Sequence, residues 1–243
     1  MITTNLSMNS HSLPRLDHIA ACAGHQEANL NFYGDFLGLD LLPSAEEWRL
    51  YGAPSDSGRP CLAFRFDAAA PSGRRGAGQA VEICLAIPEG TAGHWRERAA
   101  AGGWVFCPAI RFGCPGLRLR DPDGMPILLA ERTGVTSPTA DILGLCGTTL
   151  WVRDPLHEAA LLTDIFGCDD EGIDGGIRRL RLGDTHLDLQ DAREFPDGCP
   201  GRGVIEYLVL GGCQAVRASA DRLLVREGAG WLLPGGIRLR LSP

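Results

Sequence analysis

Four apolar segments, Leu16–Ala23, Val81–Ile87, Leu145–Val152 and Val204–Leu210, begin roughly 60–65 residues apart, and each precedes a helix candidate. A supersecondary unit that recurs at a fixed period must pack against its own copies, so this repeat constrains the fold more than any other feature. The helices fall at matching offsets. In Glu27–Leu37, Phe32 with Phe36 and Tyr33 with Leu37 share a face at i,i+4, and Gly38 supplies the stop. Thr91–Ala101 ends at Gly102-Gly103. Pro155–Phe166 has Asp154 as N-cap, proline at the first helical position and Gly167 as stop. Gln214–Val225 ends near Gly228. Short alternating strands follow each helix, as in Gly116–Asp121, Arg178–Leu182 and Gly236–Leu241.

One helix for every three strands or so is not the pattern of a doubly wound sheet, which needs one helix per strand. The pattern predicts an α+β fold of four βαβββ modules in two pseudo-symmetric halves, with mixed sheets curled around a pocket and helices outside. Residues 1–14 read as a flexible lead-in, 15–131 as the first half, 132–141 as a linker containing Gly134 and Pro138, and 142–243 as the second half. After Gly236–Leu241, which is similar to Gly116–Asp121, the chain stops where module two continues into Met125–Glu131, so the last module is expected to lack its last strand.

Composition narrows the function. A 44% hydrophobic, 22% charged chain is globular in type, and a net charge of -7 argues against general affinity for nucleic acid or anionic membranes. No apolar run approaches the ~20 residues of a membrane helix. The polar Met1–Ser12 start lacks the pattern of a secretory signal, which points to a cytoplasmic protein. The nine cysteines form no C-x-x-C pair, and Cys22, Cys84 and Cys146 lie in strand-like apolar runs as small buried hydrophobes. There is no lysine, which removes Schiff-base chemistry, a Walker-type phosphate lysine and a Ser–Lys dyad. Gly73, Gly76 and Gly78 lie in a Gly/Arg-rich loop without dinucleotide-binding spacing.

Several segments, in order, carry a resemblance: Leu16-Asp-His-Ile19 with Asn31-Phe-Tyr33 and Phe36–Leu39; Gly73–Gly78, Ile87–Gly90, Trp95–Arg98 and Asp121-Pro-Asp-Gly124; then Thr149–Asp154 with Leu161–Asp164. Together they resemble the vicinal oxygen chelate superfamily (glyoxalase, bleomycin resistance and extradiol dioxygenase proteins), and within it the bacterial long-chain ring-cleaving dioxygenases. The resemblance implies a divalent metal, commonly Fe(II), held by a His on the first strand of module one and by a His and a Glu on the first and last strands of module four. That facial arrangement leaves positions open for substrate and oxygen. His18 matches the first ligand. The second position falls on Tyr207, or on Glu206 with one upstream deletion; the third is absent, or falls on Arg240 when Gly235-Gly236 is the final turn. The implied cofactor is therefore none, or a weakly bound divalent metal at His18.

Read from the residues, His18 is a metal ligand, a general base or an ordinary strand histidine, and Glu206 or Tyr207 stands opposite it as an acid–base or hydrogen-bonding partner. Period-2 alternation lets only one of that pair face the pocket. Cys22 shares the His18 face, and Glu82 sits at the repeat position of His18, where a carboxylate in an apolar run is either paired or turned to a ligand. His186, with Asp188 on the same face, is a secondary pocket candidate. The Arg runs at 118–120 and 178–181 read as exposed strand faces, and Trp151 as a packing residue. The expected function is binding of a small organic molecule, aromatic or polyketide-like by resemblance, to sequester it or act on it by metal-independent acid–base chemistry. The alternatives are a metal-dependent ring-cleaving dioxygenase and a non-catalytic interaction subunit. A homo-oligomer is compatible with all three.

Overall fold

The structure is a computed structural model that describes residues 14–44, 47–55, 58–212 and 217–242. Most of the expected lead-in, Cys213 and the expected start of the fourth helix lie outside the described residues. Four modules follow one another. Module one is β1 (Arg15–Ala23), α1 (Gln26–Leu30, running on as a π-helical stretch through Asn31–Phe36), β2 (Asp40–Leu42), β3 (Trp48–Gly52) and β4 (Pro60–Phe66). Module two is β5 (Gln79–Pro88), α2 (Ala92–Ala101), β6 (Phe106–Arg111), β7 (Cys114–Arg120) and β8 (Pro126–Arg132). Module three is β9 (Gly144–Val152), α3 (Pro155–Phe166), β10 (Asp169–Asp174), β11 (Ile177–Leu182) and β12 (Thr185–Asp191). Module four is β13 (Val204–Gly211), α4 (Arg217–Leu223), β14 (Val225–Glu227), β15 (Gly230–Leu232) and β16 (Arg238–Leu241).

The expected loss of the last strand in module four is corrected by β16. It runs parallel to β13 through Leu208–Leu239, Val209–Arg240 and Leu210–Leu241. In the same way β4 joins β1, β8 joins β5 and β12 joins β9. The misreading has a physical cause. The β14–β15 hairpin spends only three residues per strand, so the final strand arrives early, right after a turn made by Gly236 at φ 94°. A third and a fourth strand of a module share the same alternation and cannot be told apart by it.

Two eight-stranded sheets result, and neither is built from one half of the sequence. The first has the order β14-β15-β16-β13-β1-β4-β3-β2 and joins modules one and four; the second, β10-β11-β12-β9-β5-β8-β7-β6, joins modules two and three. The first strands of the modules pair antiparallel at each sheet centre, β1 with β13 and β5 with β9. Leu16, Ile19, Ala21 and Ala23 of β1 enter the hydrophobic core on the helix side. There Phe32 and Phe36 of α1 pack on Trp104, and Phe36 on Trp95 of α2, with ring centres 4.8–6.1 Å apart. His18, Ala20 and Cys22, alternating with that set, face the other side. The Asp121 carboxylate fixes its own turn by accepting from the Asp123 and Met125 amides and takes the Tyr33 hydroxyl at 2.9 Å, which ties module one to module two. Asp154 caps α3 by accepting from the Leu156 and His157 amides, and Gly167 ends it in the left-handed region.

The Gly/Arg-rich loop has a packing role. It pairs with the loop between modules three and four through Ser72–Arg202, Arg74–Cys199 and Ala77–Asp197. A Cβ at Gly76 would lie 2.3 Å from the Pro196 carbonyl oxygen, so the two loops approach as only glycine permits.

Candidate functional site

Each first strand carries a β-bulge at equivalent places. On β1 and β13 the register shifts leave Asp17 and Glu206 as the extra residues, beside His18 and Tyr207. On β5 and β9 the extra residues are Val81 and Cys146, beside Glu82 and Gly147. Two residues on the bulged strand then oppose one on the partner, and the alternation of faces slips locally. Ile205 and Leu208 both reach the core, so Glu206 and Tyr207 between them both turn to the opposite face. This corrects the expectation that only one of the pair can do so.

In the first sheet, His18 opposes Val209 and Ala20 opposes Tyr207, so the local twofold relating the strands carries His18 onto Tyr207. Arg240, beside Val209 on β16, completes the set of implied ligand positions. The Arg240 guanidinium carbon stands 3.8 Å from the centre of the Tyr207 ring, a cation–π contact. Glu206 is ion-paired to Arg65 at 2.6 Å, and Trp48 meets Tyr207 edge-on. His18 Nδ1 lies 3.6 Å from Asp17, whose carboxyl is held down at about 2 chiefly by His18. Burial pushes the Cys22 thiol up, away from a reactive thiolate. A facial metal site needs three donor groups without positive charge. One imidazole, one phenol and one guanidinium stacked on that phenol do not fit it. Among the described residues, no three His, Cys, Asp or Glu side chains form a metal-binding group.

The second sheet holds a different arrangement at the corresponding positions. Glu82, equivalent to His18, and Asp188, equivalent to Arg240, are both buried. The Arg111 guanidinium lies between them, donating to Glu82 and to Asp188 at 2.9 Å each and to Thr149 at 3.2 Å. Arg118 reaches the second oxygen of Glu82 at 2.5 Å, and Arg179 grips Asp188 through two bonds of 2.7 and 2.9 Å. Thr149 also donates to Glu82 at 2.9 Å. A cation is thus present between two carboxylates, but it is organic. Arg111 ends β6 and reaches inward by the alternation that leaves Ile110 exposed, and the β6–β7 turn follows through Phe112 in the left-handed region at φ 50°. The Phe112 ring lies 4.0 Å beneath Arg179. The Arg runs are accordingly not simply exposed: the Arg179 side chain is only 13% exposed and Arg118 is half-buried.

Two cavities flank Arg111. The larger, about 340 Å³, has an apolar floor of Cys84, Ala86, Leu128 and Ala130, with Arg111, Arg179, His186 and Asp188 around it. Burial, reinforced by Arg179, holds the His186 imidazole below its usual pKa, with Glu171 at 3.4 Å from its Nε2. Burial pushes the Cys146 thiol at the wall up to about 12. The smaller, about 240 Å³, is bounded by Glu82, Arg75, Arg118, Arg120 and Trp151. Of the residues read from sequence, Glu82 and His186 therefore share the second sheet and its two cavities, together the second cup, while His18, Cys22, Glu206 and Tyr207 share the first sheet. Arg111, missed from sequence, is the centre of the second cup; its one signal is a single basic residue in the otherwise uncharged Phe106–Cys114.

Comparison with known proteins agrees with this fold. A family model described as Glyoxalase/Bleomycin resistance protein/Dioxygenase superfamily matches residues 15–129. Over those residues the chain carries a glyoxalase/bleomycin resistance/dioxygenase superfamily domain. One relative is Bacillus subtilis MhqE, named "Putative ring-cleaving dioxygenase", 28% identical over 89% of this chain and 74% of its own length. Another is MhqO, of the same organism and the same description, 27% identical over 79% and 68%. A crystal structure titled as a putative dioxygenase from Bacillus subtilis superposes with a TM-score of 0.80 at 24% identity, covering 93% of this chain and 84% of the other. Glyoxalase I from Zea mays superposes at 0.67 with 17% identity, covering 94% and 92%. Both likenesses show the same fold over all four modules.

Proposed function

We propose that this chain binds a small organic molecule in the larger cavity of the second cup, and that the facial metal of the superfamily takes no part. The observation that supports this reading is Arg111, a fixed cation between Glu82 and Asp188 with a cavity of ligand size beside it. The apolar floor suits an aromatic or polyketide-like skeleton, and the Arg111 and Arg179 donors suit its carbonyl or phenolic oxygens. His186 is the acid–base group of this reading, since burial and Arg179 favour its neutral imidazole, the form that can accept a proton. His18, Glu206, Tyr207 and Cys22 form a separate ion-paired and stacked surface on the first sheet and play no part in this binding.

The names of MhqE and MhqO favour a second reading, ring cleavage by a dioxygenase, for which the family resemblance would use a metal at His18. Thermal-shift titration with catechols, hydroquinones and polycyclic quinones separates the two. Stabilisation is expected in the wild type and in His18→Ala, and is expected to disappear in Ala130→Phe, which fills the cavity. One tightly held iron per chain after anaerobic reconstitution, with oxygen uptake abolished by His18→Ala, would overturn the proposal in favour of the dioxygenase.

A further inference from the structure

We propose that the smaller cavity of the second cup, on the far side of Arg111, binds the carboxylate of a small aromatic acid. Although the whole chain carries a net charge of -7, this cavity is lined by Arg75, Arg111, Arg118 and Arg120 against the single carboxylate of Glu82. Glu82 is already shared between Arg111 and Arg118. Arg75 and Arg120 both donate to the same acceptor, the Gly124 carbonyl, at 2.8 and 3.1 Å, and neither forms an ion pair with a described carboxylate. Burial, with Arg120 adding to it and Asp121 offsetting only part of it, lowers the pKa of Arg75. An anion entering here relieves the repulsion between two guanidinium groups that converge on one oxygen. A planar carboxylate matches the guanidinium fork better than a point anion does.

The rest of the lining argues for an organic anion. Val81, Pro126 and Trp151 form an apolar wall, and Trp151 is held in place by Gln190 at 3.1 Å and by the Phe195 ring at 4.6 Å. A fixed indole beside a cationic end is a surface on which an aromatic ring lies flat while its carboxylate meets the arginines. Of the residues lining this cavity, only Arg111 also lines the larger one.

The test is calorimetric titration of the intact protein with benzoate, benzamide and inorganic sulfate. Benzoate is expected to bind at least about tenfold more tightly than benzamide or sulfate. Arg120→Gln, which alters an exposed side chain, is expected to weaken benzoate about tenfold, and Arg75→Gln likewise. Ala130→Phe, which blocks only the larger cavity, should leave benzoate binding unchanged. Equal affinity for benzamide removes the carboxylate, equal affinity for sulfate removes the aromatic part, and either overturns the inference. So does unchanged binding in Arg120→Gln, or loss of binding in Ala130→Phe, which would move the ligand to the other cavity.

Discussion

The guanidinium of Arg240 rests on the ring of Tyr207, and these two residues occupy the positions where the superfamily resemblance implies a metal-binding His and Glu. The positive charge meant to be held by the protein is supplied by the protein itself. Changing both residues should reverse this. The double variant Tyr207→His, Arg240→Glu, with His18 retained, is expected to hold about one divalent metal per chain, because two imidazoles and one carboxylate complete a facial triad. Elemental analysis after dialysis checks it, with the wild type expected to be clearly substoichiometric. Equal metal content in the two proteins would show that the metal, if any, is held elsewhere.

Arg111 is expected to be the most costly single residue to remove from the second cup. Arg111→Met keeps volume but strips a buried cation from Glu82 and Asp188, a change that costs roughly 3–5 kcal/mol for buried pairs. The low end applies, since Arg118 and Arg179 still hold one carboxylate each. Denaturant unfolding should show most of that loss recovered when Glu82→Gln and Asp188→Asn are added. No recovery would mean that Arg111 acts through packing rather than charge.

Asp121 sets a pH dependence of stability. Burial raises its carboxyl from 3.8 to about 6. The folded state therefore binds more protons than the unfolded state between about pH 4 and 6, and stability falls as pH rises through that window. The loss approaches about 2–3 kcal/mol at neutral pH. An asparagine side chain can still accept from the Asp123 and Met125 amides, so Asp121→Asn should flatten the slope between pH 4 and 6 without breaking the turn. Asp17, held at about 2, acts in the opposite sense and only below about pH 4. Parallel pH profiles for wild type and variant would contradict this account.

Gly76→Ala should destabilise the protein by about 1–3 kcal/mol, because the new methyl meets the backbone of Pro196–Gly198 and neither loop can retreat without losing its pairing. Thermal unfolding reads the effect. An unchanged melting temperature would show that the two loops separate freely.

The architecture was legible because its signals are local and repeated. Apolar first strands, Asp154 with Pro155, and Gly167 report on their own neighbourhoods. The site was less legible because it depends on register. Nothing in Val204–Leu210 announces that Glu206 is an extra residue, and without that bulge Tyr207 and Glu206 fall on opposite faces. Glu82 stood out as a carboxylate in an apolar run, and His186 by its alternation with Asp188. Arg111 did not, since its partners Glu82 and Asp188 lie far off in sequence. The fourth module hides its last strand for a related reason: Ile237–Leu241 has the alternation of a third strand and the neighbours of a fourth.

The pairing of module one with module four also sets an order of assembly. The second sheet draws all its strands from the continuous stretch between Gln79 and Asp191. The first cannot join β1 to β13 until the chain has been made beyond Gly211. Closing a long loop costs entropy before any contact rewards it, and a growing chain folds what it already has. During synthesis, β1, paired on one side with β4, must therefore wait with its other edge open until β13 arrives, while the cup containing Arg111 already has all its strands.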